Sequence, residues 1–120
     1  MNPRAKGANG EREAAKWIQS KFGLELCPQR NLEQVRSGGY DLIGFAPFCV
    51  EVKRCERIDK RAWWLQVRQC VGRGDIPIVM YRRNNQPWRF LIAAEYIGIN
   101  KGFIHLEARE FILWAKAQIA

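Results

Sequence analysis

Histidine occurs only once in this chain of 120 residues, as His105. Chemistry that relies on a pair of histidines is therefore excluded, and His105 reads as a structural or exposed residue. The four cysteines, Cys27, Cys49, Cys55 and Cys70, include no close CxxC pair and lack the density of a disulfide scaffold. They read as reduced, mostly buried thiols, and no ligand set for zinc exists. No apolar run approaches the roughly 18 residues of a membrane span, and the opening MNPRAKGANGERE lacks the apolar segment of a signal peptide. A cytoplasmic protein is expected. Repeats, low-complexity stretches and Pro/Gly/Ser linkers are also missing, so residues 1–120 read as one domain.

What is present is apolar mass and positive charge. Hydrophobic residues make up 48% of the chain, including five tryptophans and six phenylalanines, enough for one core. Lysine and arginine number 20 against 12 acidic residues, a formal charge of +8 that points to a polyanion.

The pattern predicts a first helix from about Asn9, a good N-cap, to Phe22, with Ala14, Ile18 and Phe22 as its apolar stripe and Gly23 as its stop. Leu24 to Cys27 reads as a short strand, followed by a polar stretch from Gln29 to Arg36 and a turn at Ser37, Gly38 and Gly39. Tyr40 to Phe45 and Phe48 to Cys55 read as an antiparallel hairpin. A second helix fits Lys60 to about Gly72, with Trp63, Trp64, Val67, Cys70 and Val71 on one face and Leu65 on the other. Ile76 to Arg82 and Trp88 to Ala93 form another hairpin around Asn84 and Asn85, and Leu106 to Ile119 reads as a closing helix. The expected fold is α/β, a central mixed sheet flanked by helices.

Alternation along Phe48 to Cys55 places Glu51 and Lys53 on one face and Val50 and Val52 on the other. Asp41 lies in the partner segment, so the two carboxylates come close. At about 4 Å they repel by roughly 4 kcal/mol at an effective dielectric of about 20. A protonated carboxyl or Lys53 offsets part of that, but a divalent cation offsets it best. Oxygen ligands suit Mg2+, with Mn2+ able to substitute, and the carbonyls of Val50 and Val52 lie within reach of such an ion. One metal or two is left open. That set serves phosphodiester hydrolysis, with Lys53 orienting water or stabilising charge on the phosphate. Glu11, in the first turn of the predicted first helix, adds a further carboxylate. Taken alone, Asp41, Glu51 and Lys53 also suit an ordinary ion-pair network on a solvated sheet face.

Three segments favour the catalytic reading: K-G-A-N-G-E-R-E at Lys6 to Glu13, S-G-G-Y-D-L-I at Ser37 to Ile43, and C-V-E-V-K at Cys49 to Lys53. I-P-I-V at Ile76 to Val79 and W-R-F at Trp88 to Phe90 extend the pattern. In this order and spacing the chain resembles the PD-(D/E)XK nuclease superfamily, and within it the archaeal-type Holliday-junction resolvases. The resemblance implies a restriction-endonuclease-like core and an active site of Glu11, Asp41, Glu51 and Lys53. It implies functional arginines at Arg12 and Arg30, with Arg36 competing for the second role. Tyr40 stands where the superfamily has a proline before its aspartate. A resolvase this small would suit a phage, a prophage or a small genome, with action in the host cytoplasm if it is phage-encoded.

The expected activity is Mg2+-dependent endonucleolytic cleavage of four-way DNA junctions in recombination and repair. The alternatives are a related endonuclease acting on duplex or nicked DNA, and a catalytically inert DNA-binding relative. Lys6, Arg12, Arg30, Arg36, Arg54, Arg57, Lys60, Arg61 and Arg68 adjoin the site and would supply sequence-independent phosphate attraction. Gln66 sits at the border of the apolar stripe of the second helix, where an amide can reach a phosphate, and a surface glutamine is the competing reading. Gln69 ranks lower. The tryptophans read as core or subunit-interface residues. On the closing helix, Ala108, Phe111, Ile112, Ala115 and Ile119 share a face, while Leu106 and Leu113 point away and Trp114 flanks. A homodimer would cover the second side and match the two-fold symmetry of a junction.

Overall fold

A computed structural model describes residues 3–32, 40–54, 56–69 and 75–119, with side chains from Gly7 onward. The expected turn at 37–39, the side chain of Lys6, and Arg36, Cys55, Cys70 and Val71 lie outside the described residues. Helix α1 (Pro3–Phe22) leads into β1 (Gln29–Arg30), β2 (Leu42–Ile43) and β3 (Phe48–Arg54). Helix α2 (Lys60–Gln69), β4 (Ile76–Arg82) and β5 (Arg89–Ala93) follow. A 3-10 turn (Ala94–Ile97), β6 (Phe103–Glu107) and α3 (Ala108–Ile119) complete the order. The six strands form one sheet in the order β1-β2-β3-β4-β5-β6. Only β3 and β4 run parallel, with Glu51 beside Val79 and Lys53 beside Tyr81. The fold is the expected α/β mixed sheet.

Both faces of the sheet are covered, which is why its central strands are apolar on both sides. Helices α1 and α3 cover one face, where Ala14, Ile18, Phe111 and Ala115 pack on Val50, Val52, Ile78, Met80, Phe90 and Ile92. The rings of Phe90 and Phe111 stack at 3.9 Å. Helix α2 covers the other, setting Trp63, Trp64 and Val67 on Val79, Tyr81, Leu91 and Ala93. Leu65 is exposed, as its phase predicts. No helix among the described residues is long and apolar enough to cross a membrane.

The strand expected over Tyr40 to Phe45 is confined to Leu42–Ile43, the one expected from Trp88 starts at Arg89, and three larger differences stand beside these. Helix α1 starts at Pro3, not near Asn9, which lies inside it. Packing overrides the weak helix propensity of its glycines: a Cβ at Gly10 would stand 3.1 Å from the Cβ of Arg54, so the small residue lets α1 lie close on β3. Leu24 to Cys27 forms no strand. Gly23 takes the left-handed conformation (φ +62°), and the Leu24 N–H donates to the Gln19 carbonyl (3.1 Å), closing a Schellman-type cap. The Gln19 amide also donates to the Leu24 carbonyl (3.3 Å), so the strand starts later, at Gln29. Finally, Leu106 belongs to β6, a strand absent from the sequence reading, and packs against the core. Helix α3 begins only at Ala108, where the Glu110 carboxylate accepts the Glu107 N–H (2.8 Å) as an N-terminal cap.

Candidate active site

The pairing of β2 with β3 is brief: Leu42 faces Val50, and the two strands then part. The Asp41 N–H still donates to the Val50 carbonyl (2.8 Å), but beyond it the Val52 N–H has no strand to meet. The Asp41 carboxylate takes that role, its Oδ2 accepting the Val52 N–H at 2.7 Å. A backbone donor buried without a partner is costly, so Asp41 completes the sheet edge. Asn31 fixes the approach from β1. Its N–H donates to the Asp41 carbonyl (2.7 Å) and its side-chain amide to the Tyr40 carbonyl (2.9 Å).

Glu51 follows from the alternation of β3. Its side chain is 2% exposed, on the face opposite the Val50 and Val52 packing, and hydrogen-bonds with Asp41, itself 8% exposed. Burial, then the hydrogen bond and the charge of Asp41, push the Glu51 carboxyl up to about 9, against the counter-pull of Lys53. The Glu51 Oε2 is buried without a hydrogen-bond partner. Lys53, next on the same face, donates from Nζ to the Gln66 Oε1 at 2.8 Å, so α2 holds the ammonium beside the carboxylates. Gln66 is exposed, and its side chain accepts from Lys53, a partner that the sequence reading did not assign to it.

Glu11 reaches the same region from α1 and is 9% exposed. Burial raises its carboxyl above the usual range, a hydrogen bond from Arg30 opposes this, and Asp41 adds to the rise. The Arg30 Nε donates to the Glu11 Oε1 at 2.7 Å. Arg30 is therefore a partner of Glu11 within the site's wall. Arg54 likewise engages an internal carboxylate, donating from Nη1 to the Glu13 Oε1 at 2.9 Å, while Arg82 binds the other oxygen of Glu13. Arg12 is exposed and donates to the Asn9 side chain (3.3 Å), and Lys60 stands 5.6 Å over the Tyr81 ring. Sequence reasoning missed Asn31 and Glu13. Glu13 belongs to the E-R-E motif, but nothing local marks its partner 69 residues away.

His105 accepts or donates on both ring nitrogens, to the Tyr81 hydroxyl (2.6 Å) and the Glu107 carboxylate (3.0 Å), which fits a structural role. Among the described residues no group of three or more His, Cys, Asp and Glu side chains is set to hold a metal. The pair Asp41 and Glu51 does fit a hard cation. It offers an oxygen with no other partner, Glu51 Oε2, in a setting where a second negative charge is unfavourable without one.

A family model described as "Phage putative PDDEXK endonuclease" matches residues 2–117, nearly the whole chain. Among curated proteins none matches it.

Proposed function

Because the chain belongs to the phage PDDEXK endonuclease family, we propose that Asp41, Glu51 and Lys53 are the catalytic residues of a Mg2+-dependent DNA endonuclease selective for four-way junctions. The observation that carries the catalytic assignment is the unpartnered Glu51 Oε2 beside Asp41, with the Lys53 ammonium fixed on the same face. Asp41, Glu51 and the Val52 carbonyl would hold the ion. The carbonyl belongs to this set because in a strand it points to the same edge as the N–H that Asp41 accepts. Glu11 joins as an outer carboxylate, since Arg30 already holds one of its oxygens. When bound, the metal supplies Lewis-acid activation of the phosphodiester and of water. Gln66 holds Lys53 where its charge meets the developing negative charge of the phosphate. Exposed Arg12 and half-buried Lys60 supply phosphate attraction around the site, with Lys6 and Arg36 as further candidates.

The junction preference is supported by the motif resemblance to archaeal-type resolvases. Its test is a labelled four-way junction incubated with Mg2+ beside linear duplex, fork and single strand of the same sequence. Paired cuts in the junction, with duplex cut at least about tenfold more slowly, is the expected result, and equal cutting of junction and duplex rejects the preference. Paired cuts call for a symmetric homodimer. Leu113, 67% exposed on α3, and exposed Ile97 and Tyr96, whose ring packs edge-on against Trp114 at 4.9 Å, offer the apolar surface for it. Leu106 no longer contributes, being packed on the core. Light scattering should give twice the 14.0 kDa chain mass, and Leu113→Glu should lower it. A monomeric wild type that makes paired cuts rejects the dimer.

A further inference from the structure

A second feature adjoins the site on the far side of Tyr81. A cavity of about 400 Å³ opens where β4 ends and the turn toward β5 begins, lined by Tyr81, Arg82, Arg83, Asn84, Gln86 and Arg89. Glu56, Ile58 and Pro87 complete its wall. Arg82, Arg83 and Arg89 line it beside Glu56; Arg82 is paired with Glu13 and Arg89 lies 3.4 Å from Glu107, so the positive charge that remains suits an anion of limited charge. Arg82 is held in place, bound to Glu13 and stacked 4.8 Å over the Trp88 ring, and the Tyr81 hydroxyl is fixed by His105. The volume falls within the ~300–1,000 Å³ range of pockets for small organic ligands and exceeds the needs of a bare phosphate. The Asn84 and Gln86 amides and Glu56 carry the donors and acceptors that pair with base edges, and Ile58 and Pro87 offer apolar contact.

We propose that this cavity binds one unpaired nucleotide of the DNA strand that enters the active site, its phosphate on the arginines and its base edge on Asn84, Gln86 and Glu56. Its position fits. Tyr81 is the register partner of Lys53, and two residues along a strand plus one strand spacing put its backbone about 8 Å from that of Glu51, with the cavity beyond it toward the β4–β5 turn, a span that a few nucleotides of single strand cover. A base stacked inside a duplex cannot enter a concave pocket, so occupancy requires a nucleotide outside the stack. The cavity thereby recognises the unpaired positions of branched or tailed DNA. The inference rests on the DNA-cleaving reading of the adjoining site, but its test reads binding alone.

The test is fluorescence anisotropy in Ca2+ with a blunt duplex and the same duplex carrying a short single-stranded tail, for wild type and for the double variant Asn84→Ala, Gln86→Ala. Both residues are exposed in a turn, so the fold tolerates the change. The tail should tighten wild-type binding by roughly tenfold. In the double variant, tailed duplex should fall to the affinity that wild type shows for blunt duplex. Neutral substitutions leave the overall charge unchanged, so salt-dependent attraction does not account for such a loss. No tail preference in wild type, or a preference that survives in the variant, overturns the proposal. A deoxynucleoside monophosphate at micromolar concentration should not displace the tail; displacement would assign the pocket to free nucleotides and overturn the strand assignment. Loss of all cleavage with the tail preference intact would reject the nuclease reading and leave the pocket standing.

Discussion

Asp41→Asn should abolish cleavage, by at least about a thousandfold, while the protein stays folded and binds DNA as well as wild type or better. The amide is nearly isosteric with the carboxylate. Its oxygen can keep accepting the Val52 N–H, now held at 2.7 Å by Oδ2, while its NH2 group donates toward Glu51. On the proposed assignment, what is lost is one anionic metal ligand and one negative charge facing the phosphate. Asp41→Ala should differ sharply, because it leaves the Val52 N–H buried with no acceptor and costs about 1–3 kcal/mol in unfolding free energy. Cleavage assays in Mg2+, binding in Ca2+ and urea unfolding on the two variants separate the chemical role of Asp41 from its role at the sheet edge. Substantial Mg2+-dependent cutting by a folded Asp41→Asn protein would end the site assignment.

The second large effect is on stability, through Glu51. Its folded-state value of about 9 lies above the ordinary 4.5, because burial and the neighbouring Asp41 disfavour its charge. Between those values the native metal-free protein holds a proton that the unfolded chain releases. Stability should therefore fall as pH climbs from about 4.5 toward 9 and level off outside that window. The loss should be on the order of 2–4 kcal/mol, since each tenfold change in proton affinity is worth about 1.4 kcal/mol. Glu51→Gln, always neutral, should remove most of this pH dependence and be the more stable protein at pH 8, yet cut no DNA. Mg2+ competes with the same proton, so in wild type its stabilising effect should grow with pH and be small near pH 5. Urea unfolding in chelator and in Mg2+ at pH 5, 6.5 and 8 tests all three statements. A wild-type stability that rises from pH 5 to 8 without metal would show that Glu51 is not held neutral.

Much of this site was legible because its signals are local. Alternation alone separates Glu51 and Lys53 from Val50 and Val52, and the short link between Phe45 and Phe48 returns Asp41 to the β3 edge. The apolar phase of α2 likewise located Trp63, Trp64 and Val67. Features set by distant partners were less visible. The part of α1 before Asn9 carries Gly7 and reads as preceding the helix, because Asn9 offers a good N-cap and nothing local marks the earlier start at Pro3. Strand β6 has a half-buried pattern, with Phe103, Ile104, His105 and Leu106 all partly covered, so it shows no clean alternation and blended into the helix behind it. Arg30 and Arg54 read as phosphate contacts from their charge, and only the fold reveals Glu11 and Glu13 opposite them.

Those two glutamates sit two residues apart on one turn of α1, yet they anchor to opposite ends of the chain: Glu11 to Arg30, and Glu13 to Arg82 as well as Arg54. Glu11 and the three proposed catalytic side chains, Asp41, Glu51 and Lys53, have all left the ribosome once residue 53 has emerged. Their frame has not, because Val50 and Val52 rest on Ile78, Met80, Phe90 and Phe111, and β3 has its longest pairing with β4. A nascent chain thus carries the complete set of reactive groups for a substantial part of its synthesis without the geometry to use them. Contacts of such long sequence separation form late in folding. For a member of an endonuclease family, this ties competence to the assembled sheet: Ile78, Met80, Phe90 and Phe111 must be in place before Glu11, Asp41, Glu51 and Lys53 share a fixed geometry.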